Sequence, residues 1–264
     1  MKRLICSMTL LGASSVANAG TTTWEWDMQV GTVGHSVQSC SSQCPTSGFT
    51  VTDTVGTDSV TAAFNGLADT VGGGNDTEIE SADLRYYNNN SWGIQNDDEG
   101  SNQHAFDNVG NDYDMVLVSF DTSIELTDIN FGWVSDGDFS LLAYTGGGAP
   151  TSLIGDTWSN VNSSSNWLTI GNYAGNGTGY YAVNENNVSS EYWLIGAYNT
   201  VFGPEGDGVY DGNDKFKLKK IKGISDDSND PSDVEVPAPA SFAFLMVGAL
   251  FAITKKRKAK KILA

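Results

Sequence analysis

The sequence predicts an all-β fold, an antiparallel β-sandwich of jelly-roll type, for the central part of the chain. About eleven short segments alternate apolar and polar residues, and connections rich in Gly, Asn and Asp separate them. Helical spacing of apolar residues is almost absent, with residues 59–68 as the one candidate. The chain holds 7 Trp, 10 Tyr and 11 Phe, far more aromatic mass than a disordered chain carries.

The first predicted strand, residues 23–30, shows the period of two most clearly, because Trp24, Trp26, Met28 and Val30 alternate with more polar neighbours. A half-buried strand has this pattern. The other predicted strands are residues 49–55, 59–64, 84–87, 115–120, 124–133, 139–144, 167–170, 180–183, 192–198 and 215–221. The chain has 264 residues, and we expect one large domain over residues 20–224, because that length can bury enough apolar surface to fold.

Charge is distributed very unevenly along the chain. Residues 20–236 carry six basic residues against 32 acidic ones, a net charge of −26. Such a surface repels nucleic acid and anionic lipid headgroups. It suits a solvated extracellular protein, one that attracts divalent cations, or one that needs a high charge to stay soluble outside the cell.

The N-terminus has the order of a secretory signal peptide. Lys2 and Arg3 precede a largely apolar run, and Ala17 and Ala19 are the small residues that a signal peptidase requires. We therefore expect residues 1–19 to be removed by cleavage after Ala19.

The C-terminus has the order of a membrane segment. Residues 225–235 form a predicted acidic, flexible linker, residues 236–254 contain no charge, and six basic residues follow within residues 255–261. This charge asymmetry places the tail in the cytoplasm and the acidic domain across the membrane. A permanent anchor that is never cut is the alternative to a processed tail.

The motif Val236, Pro237, Ala238 and Pro239, followed by a hydrophobic helix and a basic cluster, resembles the PEP-CTERM sorting signal over residues 236–261. The family commonly has Glu where this chain has Ala238. Residues 91–144 also resemble β-sandwich domains of exosortase-dependent surface proteins. The resemblance implies a Gram-negative bacterial protein that is anchored transiently in the inner membrane, cut by an exosortase, and left at the cell surface or outside the cell.

Two of the three cysteines, Cys40 and Cys44, lie in the predicted exported region. An oxidising compartment favours a disulfide between them over a metal pair or free thiols.

Calcium is the predicted cofactor. Asp97, Asp98, Glu99, Asp107 and Asn108 offer oxygen ligands on predicted loops, although they lack EF-hand spacing. The alternative is that Asp107 and Asn108 form an Asx-type turn and that the acidic run is solvated surface.

Asp136 and Asp138, which flank Gly137, are a second candidate pair of calcium ligands. An Asp-Gly dipeptide is first of all a turn signal, so a plain turn is the alternative.

No catalytic motif is legible, and His35 and His104 are the only histidines. We expect a non-enzymatic surface or matrix protein, associated with exopolysaccharide or biofilm. The alternative is a calcium-dependent, lectin-like carbohydrate-binding module. That alternative requires Trp92, Trp133, Trp158, Trp167 or Trp193 to face solvent, whereas aromatic residues of strands are more often core.

Overall fold

A computed structural model describes residues 20–40, 43–69, 77–87, 90–96, 104–206 and 208–226. The predicted signal peptide, the sorting motif and the hydrophobic segment lie outside these residues. Within the described part, no helix has the length and apolarity needed to cross a membrane.

The described residues contain thirteen strands and two short helices. The strands are β1 (Thr21–Asp27), β2 (Pro45–Thr46), β3 (Gly48–Val55), β4 (Asp58–Ala68), β5 (Glu80–Tyr87), β6 (Ser91–Gln95), β7 (Phe106–Asp107), β8 (Asp114–Asp136), β9 (Phe139–Tyr144), β10 (Trp167–Tyr173), β11 (Gly179–Ala182), β12 (Ser189–Ala197) and β13 (Lys215–Asp226). Helix α1 spans Trp158–Ser163, and a 3-10 turn spans Thr200–Phe202. The predicted antiparallel all-β sandwich is confirmed.

All the strand pairings are antiparallel, in the order β1-β13-β6-β5-β4-β8-β12-β9-β10. The hairpin of β3 and β4 extends from this path, as do β2, β7 and β11. β13 also pairs with β8, so the strand path closes on itself through these two strands.

β8 was predicted as two strands with a break near residues 121–123, but it runs unbroken for 23 residues. Its first half pairs with β4 and β12, and its second half pairs with β11 and β13. Asp121 lies at the changeover and accepts a hydrogen bond from the Thr61 amide at 3.1 Å. A polar residue here therefore braces a continuous strand and does not end it.

The residues of β6 were not among the predicted strands, but they form a buried strand. Trp92 is 1% exposed, and its indole Nε1 donates to the Met28 carbonyl at 2.8 Å. Gly93 permits this packing, because a Cβ there would lie 2.2 Å from the His104 carbonyl oxygen. Helix α1 was also not predicted. Thr157 caps it by accepting a hydrogen bond from the Asn160 amide.

Aromatic side chains fill the main core. Phe49 stacks on Trp92 with ring centroids 4.2 Å apart, and Phe131 stacks on Phe216 at the same distance. A second apolar cluster includes Trp158 and lies under helix α1 and the 3-10 turn. Burial of this large apolar area is the main driving force for folding.

The two ends of the folded unit, Thr21–Asp226, lie side by side. In the register of β1 and β13, Thr21 pairs directly with Asp226. Lys220 binds Glu25 and Asp27 across this pair, each at 2.8 Å. A disulfide joins Cys40 to Cys44, with Cα atoms 6.0 Å apart.

Candidate metal centre

Three aspartates converge at one end of β13. Asp136 is the last residue of β8, Asp138 lies in the turn that leads to β9, and Asp214 immediately precedes β13. The pairing of Lys215 with both Asp136 and Asp107 holds the start of β13 between β8 and β7. Carboxylate oxygens from the three aspartates lie within 4.8 Å of one another. We call Asp136, Asp138 and Asp214 the aspartate triad.

Backbone amides hold Asp138 from two sides. One of its carboxylate oxygens accepts from the Gly175 amide at 3.0 Å, and the other accepts from the Tyr210 amide at 2.8 Å. Gly175 must lack a side chain here, because a Cβ would lie 2.0 Å from the Gly137 carbonyl oxygen. The carboxylate of Asp138, which is 1% exposed, is therefore fixed in position.

Asn108 fixes Asp214. The Asn108 side-chain amide donates to one carboxylate oxygen of Asp214, and the backbone amide of Asp214 donates to Asn108 Oδ1 at 2.9 Å. The other carboxylate oxygen accepts from the Asp138 amide at 3.0 Å. Both oxygens of Asp214 therefore accept N–H hydrogen bonds, an arrangement that favours an ionised carboxylate.

Asp136 is the most accessible member of the triad. Its Oδ1 accepts from the Gly137 amide at 2.9 Å, and its Oδ2 accepts from the side-chain amide of Asn213 at 2.6 Å. Each carboxylate oxygen can accept more than one bond, so these contacts leave lone pairs for a cation.

Burial and mutual repulsion oppose ionisation of the triad. Burial, with a further contribution from Asp138, raises the pKa of Asp214 to about 8. Burial also raises the pKa of Asp138. Among the described residues, no Lys or Arg forms an ion pair with the triad. A bound cation or a proton on Asp214 would relieve this repulsion.

The triad matches the chemistry of Ca²⁺ coordination. Calcium binds carboxylate oxygens at about 2.3 to 2.6 Å, so ligands on opposite sides of one ion lie about 5 Å apart. The 4.8 Å span of the triad fits one such ion. Calcium takes about six to eight oxygens, so bidentate contacts or water would supply the remaining ligands.

Only Asp107 and Asn108 of the first predicted calcium site lie among the described residues. Asp97, Asp98 and Glu99 lie outside the described residues. Asp107 Oδ1 accepts from the Val109 amide at 3.2 Å, which is the contact of an Asx-type turn. Asn108 contributes to the triad through Asp214 and not through its neighbours in sequence.

Asp214 was not identified from the sequence, whereas Asp136 and Asp138 were considered as a pair. The available signal was its place directly before a predicted strand, since strand ends meet at the edge of a sheet. Its distance of 76 residues from Asp138 concealed the contact.

The histidines and most tryptophans are buried. His35 is 1% exposed and His104 is 3% exposed, and burial lowers the pKa of both. Four of the five tryptophans considered as sugar platforms are at most 8% exposed, so the core interpretation is correct for them; they are Trp92, Trp158, Trp167 and Trp193. The fifth, Trp133, is half-buried and lies near the Lys217 ammonium.

The fold and site together define an all-β domain with a buried carboxylate cluster at one end. No protein-family model, curated protein or solved structure shows significant similarity to this chain.

Proposed function

We propose that the protein is an exported, non-enzymatic surface or extracellular-matrix protein that is processed at both ends. The observation that carries this proposal is the position of the folded unit, Thr21–Asp226, between two signals. It begins two residues after the expected signal-peptidase site at Ala19 and ends before the sorting motif at Val236. Cleavage at both sites would leave every described strand intact.

The disulfide between Cys40 and Cys44 is compatible with this location, because structural disulfides persist in oxidising compartments. The tail after Asp226 lies outside the described residues, so its processing by an exosortase rests on the sequence pattern.

The buried histidines are poorly placed to act as general bases. His35 stacks on Phe49 with ring centroids 4.9 Å apart, and its Nδ1 accepts from the Val37 amide at 3.0 Å. A general base must reach the proton of a substrate, and a side chain that is 1% exposed cannot do so without rearrangement.

Calcium in the aspartate triad is part of this proposal. One cation would satisfy three carboxylates that come from the end of β8, the following turn and the residue before β13. It would therefore link the two strands that close the strand path. We assign the ion a structural role.

Surface labelling of cells that express the full chain tests the export proposal. An impermeant amine-reactive reagent should label Lys215 and Lys219 of the parent. A variant with Leu4 and Leu10 changed to Arg should stay inside the cell and remain unlabelled, because charge disrupts the apolar core of a signal peptide. Equal labelling of the two chains would contradict the proposal.

A further inference from the structure

A polar depression of about 290 Å³ opens between the end of β9 and the start of β12. Asp138 of the aspartate triad lies at the other end of β9. Tyr144, Tyr192, Glu191 and Ser123 are among the residues that line the depression. Its volume is at the lower end of the range for small-molecule sites, about 300 Å³. It has room for a single ring-sized ligand.

Two tyrosines form a fixed corner of this depression. Their ring centroids lie 6.0 Å apart with the planes at 87°, and Tyr144 also packs edge-on against Trp167 at 5.1 Å. Gly146 completes the packing, since a Cβ there would lie 2.5 Å from the Tyr144 hydroxyl. The half-buried rings are therefore held in place before any ligand arrives.

A register irregularity between β8 and β12 lies beside the same depression. Ser190 pairs with Ile124 and Tyr192 pairs with Ser119, so the exposed Glu191 of β12 lies opposite four residues of β8, residues 120–123. Ser190 braces the irregularity, because its Oγ lies 2.6 Å from the Tyr144 carbonyl oxygen and accepts from the Tyr192 amide at 3.0 Å. Bulges commonly re-aim side chains near binding sites.

The depression also presents polar groups that have no hydrogen-bond partner within the described chain. They are the exposed Glu191 carboxylate and the hydroxyls of Ser123 and Ser189. No basic residue is among the lining residues, so nothing there would offset the repulsion between the Glu191 carboxylate and an anionic ligand.

We propose that this depression binds a neutral sugar unit of an extracellular polysaccharide. A pyranose ring has an apolar face that can pack on tyrosine and a rim of hydroxyls that can bond to carboxylate and hydroxyl groups. Tyr192 and Tyr144 supply the packing surface. Glu191, Ser123 and Ser189 form hydrogen bonds with the hydroxyl groups of the sugar. This inference deepens the proposed surface function and rests on it only for the source of the glycan.

Binding is tested with purified chain and four neutral trisaccharides: cellotriose, maltotriose, laminaritriose and galactotriose. Trigalacturonate serves as the anionic counterpart. Saturation-transfer NMR followed by calorimetry should detect at least one neutral probe and no preference for trigalacturonate. Failure of all four neutral probes, or preferential binding of trigalacturonate, would overturn the inference.

Two variants locate the site. Tyr192→Ala and Glu191→Ala should each weaken binding about tenfold, which corresponds to a loss of about 1.4 kcal/mol. Glu191 is exposed, so its replacement should leave the melting temperature unchanged and keeps the test valid if Tyr192→Ala is destabilised. The matched controls are Tyr210→Ala and Glu185→Ala, which replace exposed residues outside the depression and should bind like the parent.

Gly146→Ala tests the same corner without removing a proposed contact. Its methyl group should displace the Tyr144 ring and weaken binding of the neutral probe. Parent-like affinity in Tyr192→Ala and Glu191→Ala would overturn the location. If the chain is processed at both ends but binds no neutral probe, this inference is overturned and the sorting proposal stands. If the chain binds a neutral probe but is never processed, the sorting proposal is overturned and this inference stands.

Discussion

Asn108 and Asp214 exchange two hydrogen bonds across 106 positions of sequence. Asn108 gives its side-chain amide to the Asp214 carboxylate and receives the Asp214 backbone amide on Oδ1 at 2.9 Å. Both side chains are 0% exposed. This reciprocal pair ties the segment after β7 to the start of β13 and orients one carboxylate of the aspartate triad.

Removing the Asn108 side chain should therefore destabilise the fold. Asn108→Ala leaves buried polar groups of Asp214 without partners, so we expect a loss of about 2 to 4 kcal/mol in the free energy of unfolding. Urea denaturation measures it. The control Asn162→Ala removes an exposed side chain that donates to the Val201 carbonyl, and it should cost less than about 0.5 kcal/mol. Equal losses in the two variants would contradict a special role for Asn108.

The strands were predictable because their pattern is local. β9 occupies the predicted residues, Phe139–Tyr144, since its apolar run is bounded by turn signals on both sides. The continuity of β8 was not predictable, because the polar residues near Asp121 resemble a turn in sequence. Only the pairing of β12 with β8 on both sides of this region, at Ser119 and at Ile124, shows that the strand continues.

The candidate metal centre was predictable in part for the same reason. Asp136 and Asp138 are two positions apart, so their proximity is visible in the sequence. Asn108 was instead grouped with Asp97 and its neighbours, because local sequence suggests local partners. Strand register brings Asn108 to Asp214, and no local pattern specifies that the start of β13 lies between β7 and β8.

Calcium should stabilise the protein more than charge screening does. At about 100 times its dissociation constant, a cation bound only by the folded state adds about 2.7 kcal/mol. Millimolar CaCl₂ should therefore raise the melting temperature above that in NaCl of matched ionic strength. Comparing the melting temperature in CaCl₂ with that in MgCl₂ shows whether the site prefers calcium to magnesium.

Variants locate the ion. Asp214→Asn should abolish the calcium-dependent gain, whereas Asp58→Asn, at the exposed start of β4, should retain it. Asp107→Asn separates the triad from the acidic loop first predicted as the site, and it should also retain the gain. Identical melting temperatures of the parent in calcium and in matched sodium would refute the metal assignment.

Without divalent cations, stability should rise as the pH falls from about 8.5 to about 7. Because the folded-state pKa of Asp214 is raised to about 8, the folded protein retains a proton that the unfolded chain releases above about pH 4. The stability that this proton on Asp214 contributes is fully present below about pH 4, and it is lost as the pH rises through the folded-state pKa. Melting temperatures in EDTA across this range measure the effect.

Asp214→Asn should remove this pH dependence. Asp69→Asn is the matched control: burial raises the pKa of Asp69 to about 6, so its titration lies below the window. A parent whose melting temperature falls on acidification from about pH 8.5 to about 7 would contradict the assignment.

Loss of the disulfide should be tolerated. The bond between Cys40 and Cys44 closes a loop of four positions, so the double replacement by Ser should cost only about 1 to 2 kcal/mol. Thermal melting of the variant measures this cost. Labelling of both thiols in the native, non-reduced protein would show that the bond does not form.

Intact-mass spectrometry of the protein recovered from outside the cell tests the proposed function most directly. We expect a polypeptide that begins at Gly20 and ends near Pro237, because the folded unit, Thr21–Asp226, lies between the two predicted cleavage sites. A mature species that still carries Lys255 and Lys261 would contradict processing by a sorting enzyme.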